Sequence, residues 1–285
     1  MSFAEVLAAD ARLISARLAA AMAGMGDVPV VQAMRYACGG GKRLRGFLVL
    51  EGARMLGVPA SRAVSAAAAV EALHAYSLVH DDLPCMDDDD LRRGLPTVHR
   101  KWDEATAVLC GDALQTLAFE LLCDPALGDA RVDLVLGLAR ASGAEGMVLG
   151  QALDMAAQTS GPLDLTQITA LQAGKTGALI RFSAEAGAIL AGVDPGPLRA
   201  YATALGLAFQ IADDILDVTG DAVKAGKRLG KDAAAGKATF VSLLGLEAAR
   251  ERAAALIVEA EAALSPYKGA ENLVAAARYV IARES

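Results

Sequence analysis

Aromatic residues are scarce in this 285-residue chain: Phe, Trp and Tyr together make up 4% of it, with a single tryptophan. Any internal apolar pocket must therefore be walled mainly by Leu, Ile, Val, Ala and Met. Basic charge is also outnumbered, with 27 Lys+Arg against 34 Asp+Glu, a net charge of −7 and a pI near 5.1. That balance argues against a general nucleic-acid binder or an anionic-membrane binder, because the sequence-independent phosphate attraction would have the wrong sign. The four cysteines, Cys38, Cys85, Cys110 and Cys123, form no CxxC pair and no zinc spacing, so they read as free thiols in a reducing compartment. No stretch reaches 18 uninterrupted apolar residues, which argues against a membrane span. The opening residues Met1 to Val6 lack the basic start and apolar core of a signal peptide, and a cytoplasmic protein is expected.

What the chain has in abundance is alanine and leucine in helical rhythm. Hydrophobic residues make up 54%, much of it alanine, a strong helix former. Phe3, Val6, Leu7, Leu13, Ile14 and Leu18 recur at near three- and four-residue steps. The pattern predicts helices over 3–23, 62–80, 103–123, 130–157, 164–191, 196–219 and 238–263. Glycine and proline breaks fall at 26–29, 38–41, 57–59, 124–125, 159–162, 194–197 and Gly220. No alternating strand pattern and no dividing linker is present. The expectation is one all-α domain over 1–285, a bundle of about ten or more helices around a central apolar cavity.

Two acidic clusters interrupt this apolar ground: Asp81, Asp82 and Asp87, then Asp213, Asp214 and Asp217. Asp213 and Asp217 share one face of a helix, where like charges cost about 0.2–0.5 kcal/mol per pair. A cation between the carboxylates removes that cost. Oxygen ligands without a cysteine pair or a histidine doublet favour a hard ion, Mg2+ first and Mn2+ second. Mg2+ takes one or two carboxylates and leaves its other positions to water and substrate phosphate. Two such clusters facing each other would suit a diphosphate.

Other metal readings fit less well. An EF-hand counted from Asp87 lacks glycine at position six and has Val98 at position twelve. Glu71 and His74 match the Glu-x-x-His step of di-iron bundles, but His80 and His99 provide no second copy. The adjacent His80 and Asp81 suggest a metal phosphohydrolase, kept as an alternative, although no histidine precedes His74 to complete the ligand set.

Cationic residues are local. The run from Gly39 to Arg45 combines three glycines with Lys42, Arg43 and Arg45, and with His74 and Arg93 it offers a metal-free anion site. It lacks the P-loop spacing. Gly174 and Gly177 flank Lys175 and Thr176, so a helix kink there would turn carbonyls and a hydroxyl toward a developing positive charge, with the lysine on a phosphate. Phe209 and Gln210 stand one turn before the second acidic cluster. Lys227, Lys231 and Lys237 follow it and suit a lid over a leaving group.

Taken together, these residues resemble the trans-prenyltransferases, the isoprenyl diphosphate synthases of the polyprenyl synthetase family, and among them the bacterial farnesyl diphosphate synthases. The likeness runs from Lys42 to Lys237 and includes the whole of 74–94 and 209–217. The resemblance implies that Asp81, Asp87 and Asp213 hold Mg2+ ions on an allylic diphosphate, supported by Asp82, Asp214 and Asp217. It implies that Arg92, Lys175, Gln210, Lys227 and Lys237 contact that diphosphate. Lys42, Arg45, His74 and Arg93 would take isopentenyl diphosphate, and Thr176 with the Lys175 carbonyl would steady the carbocation. A homodimer is implied as well.

Tyr76, with small Ser77 beside it, lies five positions before Asp81, about 7–8 Å along a helix. The resemblance makes it the floor of the prenyl pocket and implies a fifteen-carbon product, with a geranylgeranyl diphosphate synthase as the alternative and a class I terpene cyclase a remoter one. The chain departs from the family at Gly46 and Val241, where proline is usual, which bears on the placement of Lys42, Arg45 and Lys237.

Overall fold

The Ser2 hydroxyl accepts the Glu5 N–H while the Glu5 carboxylate accepts the Ser2 N–H, a reciprocal cap that starts α1 (Phe3–Ala21). The computed structural model describes residues 1–161, 163–219 and 238–282. The described chain is all-α apart from one two-residue-stranded hairpin, as its alanine and leucine periodicity predicts. It divides into two compact units, the first Met1–Leu136 with Ala186–Val193 and the second Gly137–Glu185 with Asp194–Ser285.

The first unit contains α1, α2 (Pro29–Ala37), α3 (Leu44–Met55) and α4 (Ala60–Asp81). It continues through a hairpin of β1 (Leu91–Arg92) and β2 (Leu95–Pro96), then α5 (Val98–Lys101) and α6 (Glu104–Leu122). α4 is its central rod. Ala66, Ala67, Ala68, Ala69, Ala72 and Leu73 are all fully buried, so α4 is covered on every side over that stretch. Short side chains let α1, α3 and α6 approach it closely. α6 is long and apolar enough to cross a membrane. Its Ala107, Cys110, Leu114, Leu117 and Leu121 face is buried against α4, as for the core helix of a packed bundle. Each buried leucine of that face contributes about 1.5–3 kcal/mol.

A 3-10 turn (Pro125–Ala130) leads into α7 (Arg131–Ser142). The second unit then holds α8 (Met147–Ser160), α9 (Leu165–Gln172), a π-helical turn (Ala173–Gly177), α10 (Ala178–Ala191), whose last turns from Ala186 belong to the first unit, and α11 (Gly196–Thr219). After the second acidic cluster come α12 (Phe240–Leu244), α13 (Leu246–Leu264) and α14 (Glu271–Ala282). α11 packs along α13, and the fully buried Tyr201 donates its hydroxyl to the Leu273 carbonyl at 2.8 Å.

Two predicted runs are broken by glycine. The 130–157 run splits at Gly146, whose φ of −133° and ψ of −119° leave the helix; a Cβ there would stand 2.2 Å from the Ala141 carbonyl oxygen. The 238–263 run splits at Gly245, with φ 82°. Cys38 and Cys110 are buried, and burial pushes their thiols up to about 11 and about 12; both are free, as are the exposed Cys85 and Cys123.

Candidate active site

α4 ends at the first acidic cluster, and the backbone beyond it folds back on the helix. The Asp87 N–H donates to the Asp81 carbonyl at 2.9 Å, and the Asp89 N–H to the Asp82 carbonyl at 3.2 Å. Asp88 takes a left-handed φ of 49°, a conformation aspartate tolerates, and this lets the loop close tightly. Asp82 is 3% exposed, and Arg92 Nε donates to its two oxygens at 2.8 and 3.0 Å. Asp81 and Asp87 stand partly exposed on either side of this anchor. Arg92 belongs to the hairpin, so its two-residue strands serve to return an arginine to the end of α4.

The second cluster is built in the same way. Asp214 is 4% exposed; its Oδ2 accepts the Phe240 N–H at 2.7 Å and its Oδ1 the Gln210 side-chain amide at 3.0 Å. Asp213 and Asp217 on the same helix are partly exposed. In both clusters the second aspartate is committed to holding the protein, and its neighbours lie nearer the surface. This division was invisible in the sequence, where adjacent aspartates look alike.

The residues expected to form an anion site all lie in the first unit, and two of them, Arg45 and His74, meet. Arg45 Nη1 lies 3.3 Å from His74 Nε2, and Arg93 donates to the Gly39 carbonyl at 3.2 Å. The Arg93 guanidinium lies where a Cβ on Gly41 would be, 2.9 Å away, and Gly41 also has φ 82°, so glycine is required there twice over. Lys42 follows it, exposed. Burial holds the His74 imidazole well below its ordinary range, helped by the charges of Arg45, Arg93, Arg92 and Arg43. Arg43, counted among the cations of that site, is instead buried against Glu71 one turn before His74.

In the second unit the expected kink is a π-helical turn packed between two helices. A Cβ on Gly150 of α8 would stand 2.0 Å from the Lys175 nitrogen, and one on Gly206 of α11 would stand 3.2 Å from the Gly177 Cα. Thr176 donates to the Gln210 side-chain oxygen at 3.2 Å, and through Gln210 it connects to Asp214. Lys175 Nζ is 2.6 Å from Asp154 Oδ2. Sequence reasoning passed over Asp154; the available signal was that it is the one acidic residue in the otherwise uncharged α8. Lys227, Lys231 and Lys237 lie outside the described residues.

Tyr76 and His80 pack edge to face with ring centroids 5.0 Å apart, and the Ser77 hydroxyl is turned to the His74 carbonyl at 2.9 Å. Among the described residues no three carboxylate, imidazole or thiolate groups converge closely enough to hold an ion alone. A donor set of separated, partly exposed carboxylates fits Mg2+, which keeps several positions for water and phosphate oxygens, and does not fit a closed Zn2+ cage.

The polyprenyl synthetase family profile matches residues 28–270, which take in every candidate site residue. The chain belongs to this family. It is 52% identical over 249 residues to the farnesyl diphosphate synthase of Escherichia coli, covering 84% of this chain and 82% of that one. An FPP/GFPP synthase from Zymomonas mobilis, solved in its apo form, superposes with a TM-score of 0.90 at 46% identity, covering 98% of both chains. A geranyltransferase from Helicobacter pylori, complexed with magnesium and isoprenyl diphosphate, superposes at 0.85 with 35% identity, covering 99% of both. This polyprenyl synthetase departs from the usual proline at Gly46 with a physical reason: the Gly46 N–H donates to Glu71 Oε1 at 2.9 Å, a bond proline cannot make. Val241 falls inside α12, two residues after the Thr239 cap.

Proposed function

We propose that this protein is a trans-prenyltransferase that joins isopentenyl diphosphate to an allylic diphosphate, first dimethylallyl and then geranyl, giving mainly farnesyl diphosphate. The observation that carries this reading is the shared construction of the two acidic clusters, with Asp82 and Asp214 buried and hydrogen-bonded so that Asp81, Asp87, Asp213 and Asp217 are presented beside them. Asp81, Asp87 and Asp213 are the residues that would hold Mg2+, or Mn2+ in its place, with Asp82, Asp214 and Asp217 in support. When bound, Mg2+ supplies the positive charge that draws diphosphate off the allylic carbon.

The remaining steps belong to the chain. Arg92, Lys175 and Gln210, with Lys227 and Lys237 beyond the described residues, bind the allylic diphosphate. Lys42, Arg45 and Arg93 bind the isopentenyl diphosphate, and His74 adds a hydrogen-bonding group beside Arg45. The allylic C–O bond breaks, the isopentenyl double bond closes a new C–C bond, and a proton passes to the departing diphosphate. Thr176 and the Lys175 carbonyl steady the transient cation, since a π-helical turn leaves backbone carbonyls outside the regular helical ladder. A homodimer, as the family resemblance implies, working in the cytoplasm, as the unpaired cysteines suggest, completes the proposal.

The test is an incubation of labelled isopentenyl diphosphate and Mg2+ with each of the C5, C10 and C15 allylic diphosphates, followed by sizing of the dephosphorylated products. Fifteen-carbon alcohol from the C5 and C10 starters is expected. No labelled product from any starter would contradict the proposal.

A further inference from the structure

Glu71 lies one turn before His74 on α4, and the structure gives it a place in the isopentenyl diphosphate site that its sequence spacing did not suggest. Its carboxylate has two partners from the segment that enters α3: Oε1 accepts the Gly46 N–H at 2.9 Å, and Oε2 lies 3.5 Å from Arg43 Nη1. The Glu71 and Arg43 side chains are 5% and 4% exposed. Arg43 holds a left-handed φ of 54° at the N-terminus of α3, unusual for a residue with a side chain, and its guanidinium donates backward to the Cys38 carbonyl. Arg43 thus ties the start of the glycine turn to α4, and the turn between carries Lys42.

The three cations of this stretch have separate fates. Lys42 is exposed, Arg43 is buried on Glu71, and Arg45 meets His74. Glycine at 46 is part of the same knot. A Cβ there would stand 2.6 Å from Ile14 Cδ1 and 3.1 Å from Glu71 Cγ, so the bare backbone leaves room for the glutamate to reach the N–H. A buried ion pair is weak evidence for stability, because desolvation offsets much of the attraction, whereas it can fix one geometry among several.

We infer that Glu71 is a positioning residue for isopentenyl diphosphate, acting through Arg43 and the Gly46 N–H to set where Lys42 and Arg45 present their charges. The inference rests on the reading that Lys42, Arg45 and His74 take that diphosphate. Loss of the Glu71 charge frees Arg43 from its anchor and loosens the turn, while the allylic residues on the second aspartate cluster keep their own contacts.

Glu71→Gln keeps shape and an acceptor for Gly46 but removes the charge. The apparent KM for isopentenyl diphosphate should rise about tenfold, the scale of a lost charge-assisted hydrogen bond, with the KM for geranyl diphosphate unchanged. The double variant Arg43→Met with Glu71→Gln removes both charges while leaving the Gly46 N–H its acceptor, and guards against simple misfolding. It should melt near the wild type and still show the raised isopentenyl KM. Equal rises in both KM values, or a native isopentenyl KM in the double variant, would overturn the inference. Arg45→Ala, measured in parallel, separates the two levels. If it too lacks a selective effect on isopentenyl diphosphate, the site assignment fails and this inference with it; if it is selective while both Glu71 variants are not, only the role of Glu71 fails.

Discussion

The ring of His80 rests on the bare backbone of Gly111, where a Cβ would stand 2.0 Å from Nε2, and the same nitrogen lies 3.0 Å from the Val108 carbonyl oxygen. The close crossing of α4 and α6 next to the first aspartate cluster depends on that glycine. Gly111→Ala must displace the ring, and such overpacking costs about 1–3 kcal/mol. Chemical denaturation should show a loss of that size, accompanied by slower turnover because His80 immediately precedes Asp81. A variant with unchanged stability would mean that the ring relocates freely.

Tyr76 stands one turn before His80 and meets it edge to face at 5.0 Å. The family resemblance makes its ring the floor of the prenyl pocket, a role that its removal tests. Tyr76→Ala is expected to shift the products from fifteen to twenty carbons or more, read by chromatography of the dephosphorylated alcohols. An unchanged fifteen-carbon product would make Tyr76 an ordinary core residue.

The helices were legible in the sequence because alanine and leucine repeat with helical period, and the chemistry because aspartate runs are conspicuous on apolar ground. The breaks inside long runs were not legible. Gly146 and Gly245 look like tolerable helix glycines until the conformations at each become visible. Nor could spacing distinguish Asp81 from Asp82, or Lys42 from Arg43, since burial is set by Arg92 and Glu71, which come from other segments of the first unit. Asp154 went unnoticed for the same reason: its partner Lys175 is brought to it by a π-helical turn that no periodicity predicts.

Arg45, 3.3 Å from His74, should serve one substrate only. Steady-state kinetics of Arg45→Ala should show a large rise in the apparent KM for isopentenyl diphosphate and a small one for the allylic partner. Similar rises for both would dissolve the separation of the two diphosphate sites.

His74 gives a pH prediction. Burial and the arginines around it lower its folded-state value below the ordinary 6.5. Below that pH the unfolded chain binds a proton that the folded chain refuses, so stability falls as the solution is acidified and is unaffected by this residue above it. The thermal midpoint of the wild type should therefore drop more steeply than that of His74→Gln as the pH falls below about 6.5, the ordinary histidine value. Parallel curves would show that His74 titrates normally.

Central to the proposed function is that Asp81 and Asp213, each beside a buried aspartate in its own unit, are both needed for turnover with Mg2+. The most direct measurement is the turnover of Asp81→Ala and of Asp213→Ala in saturating Mg2+, with far-ultraviolet circular dichroism to confirm the fold. The account predicts that each variant alone loses several orders of magnitude in turnover while its helical signal stays intact. Near-native turnover in either one, in the same buffer, would contradict it.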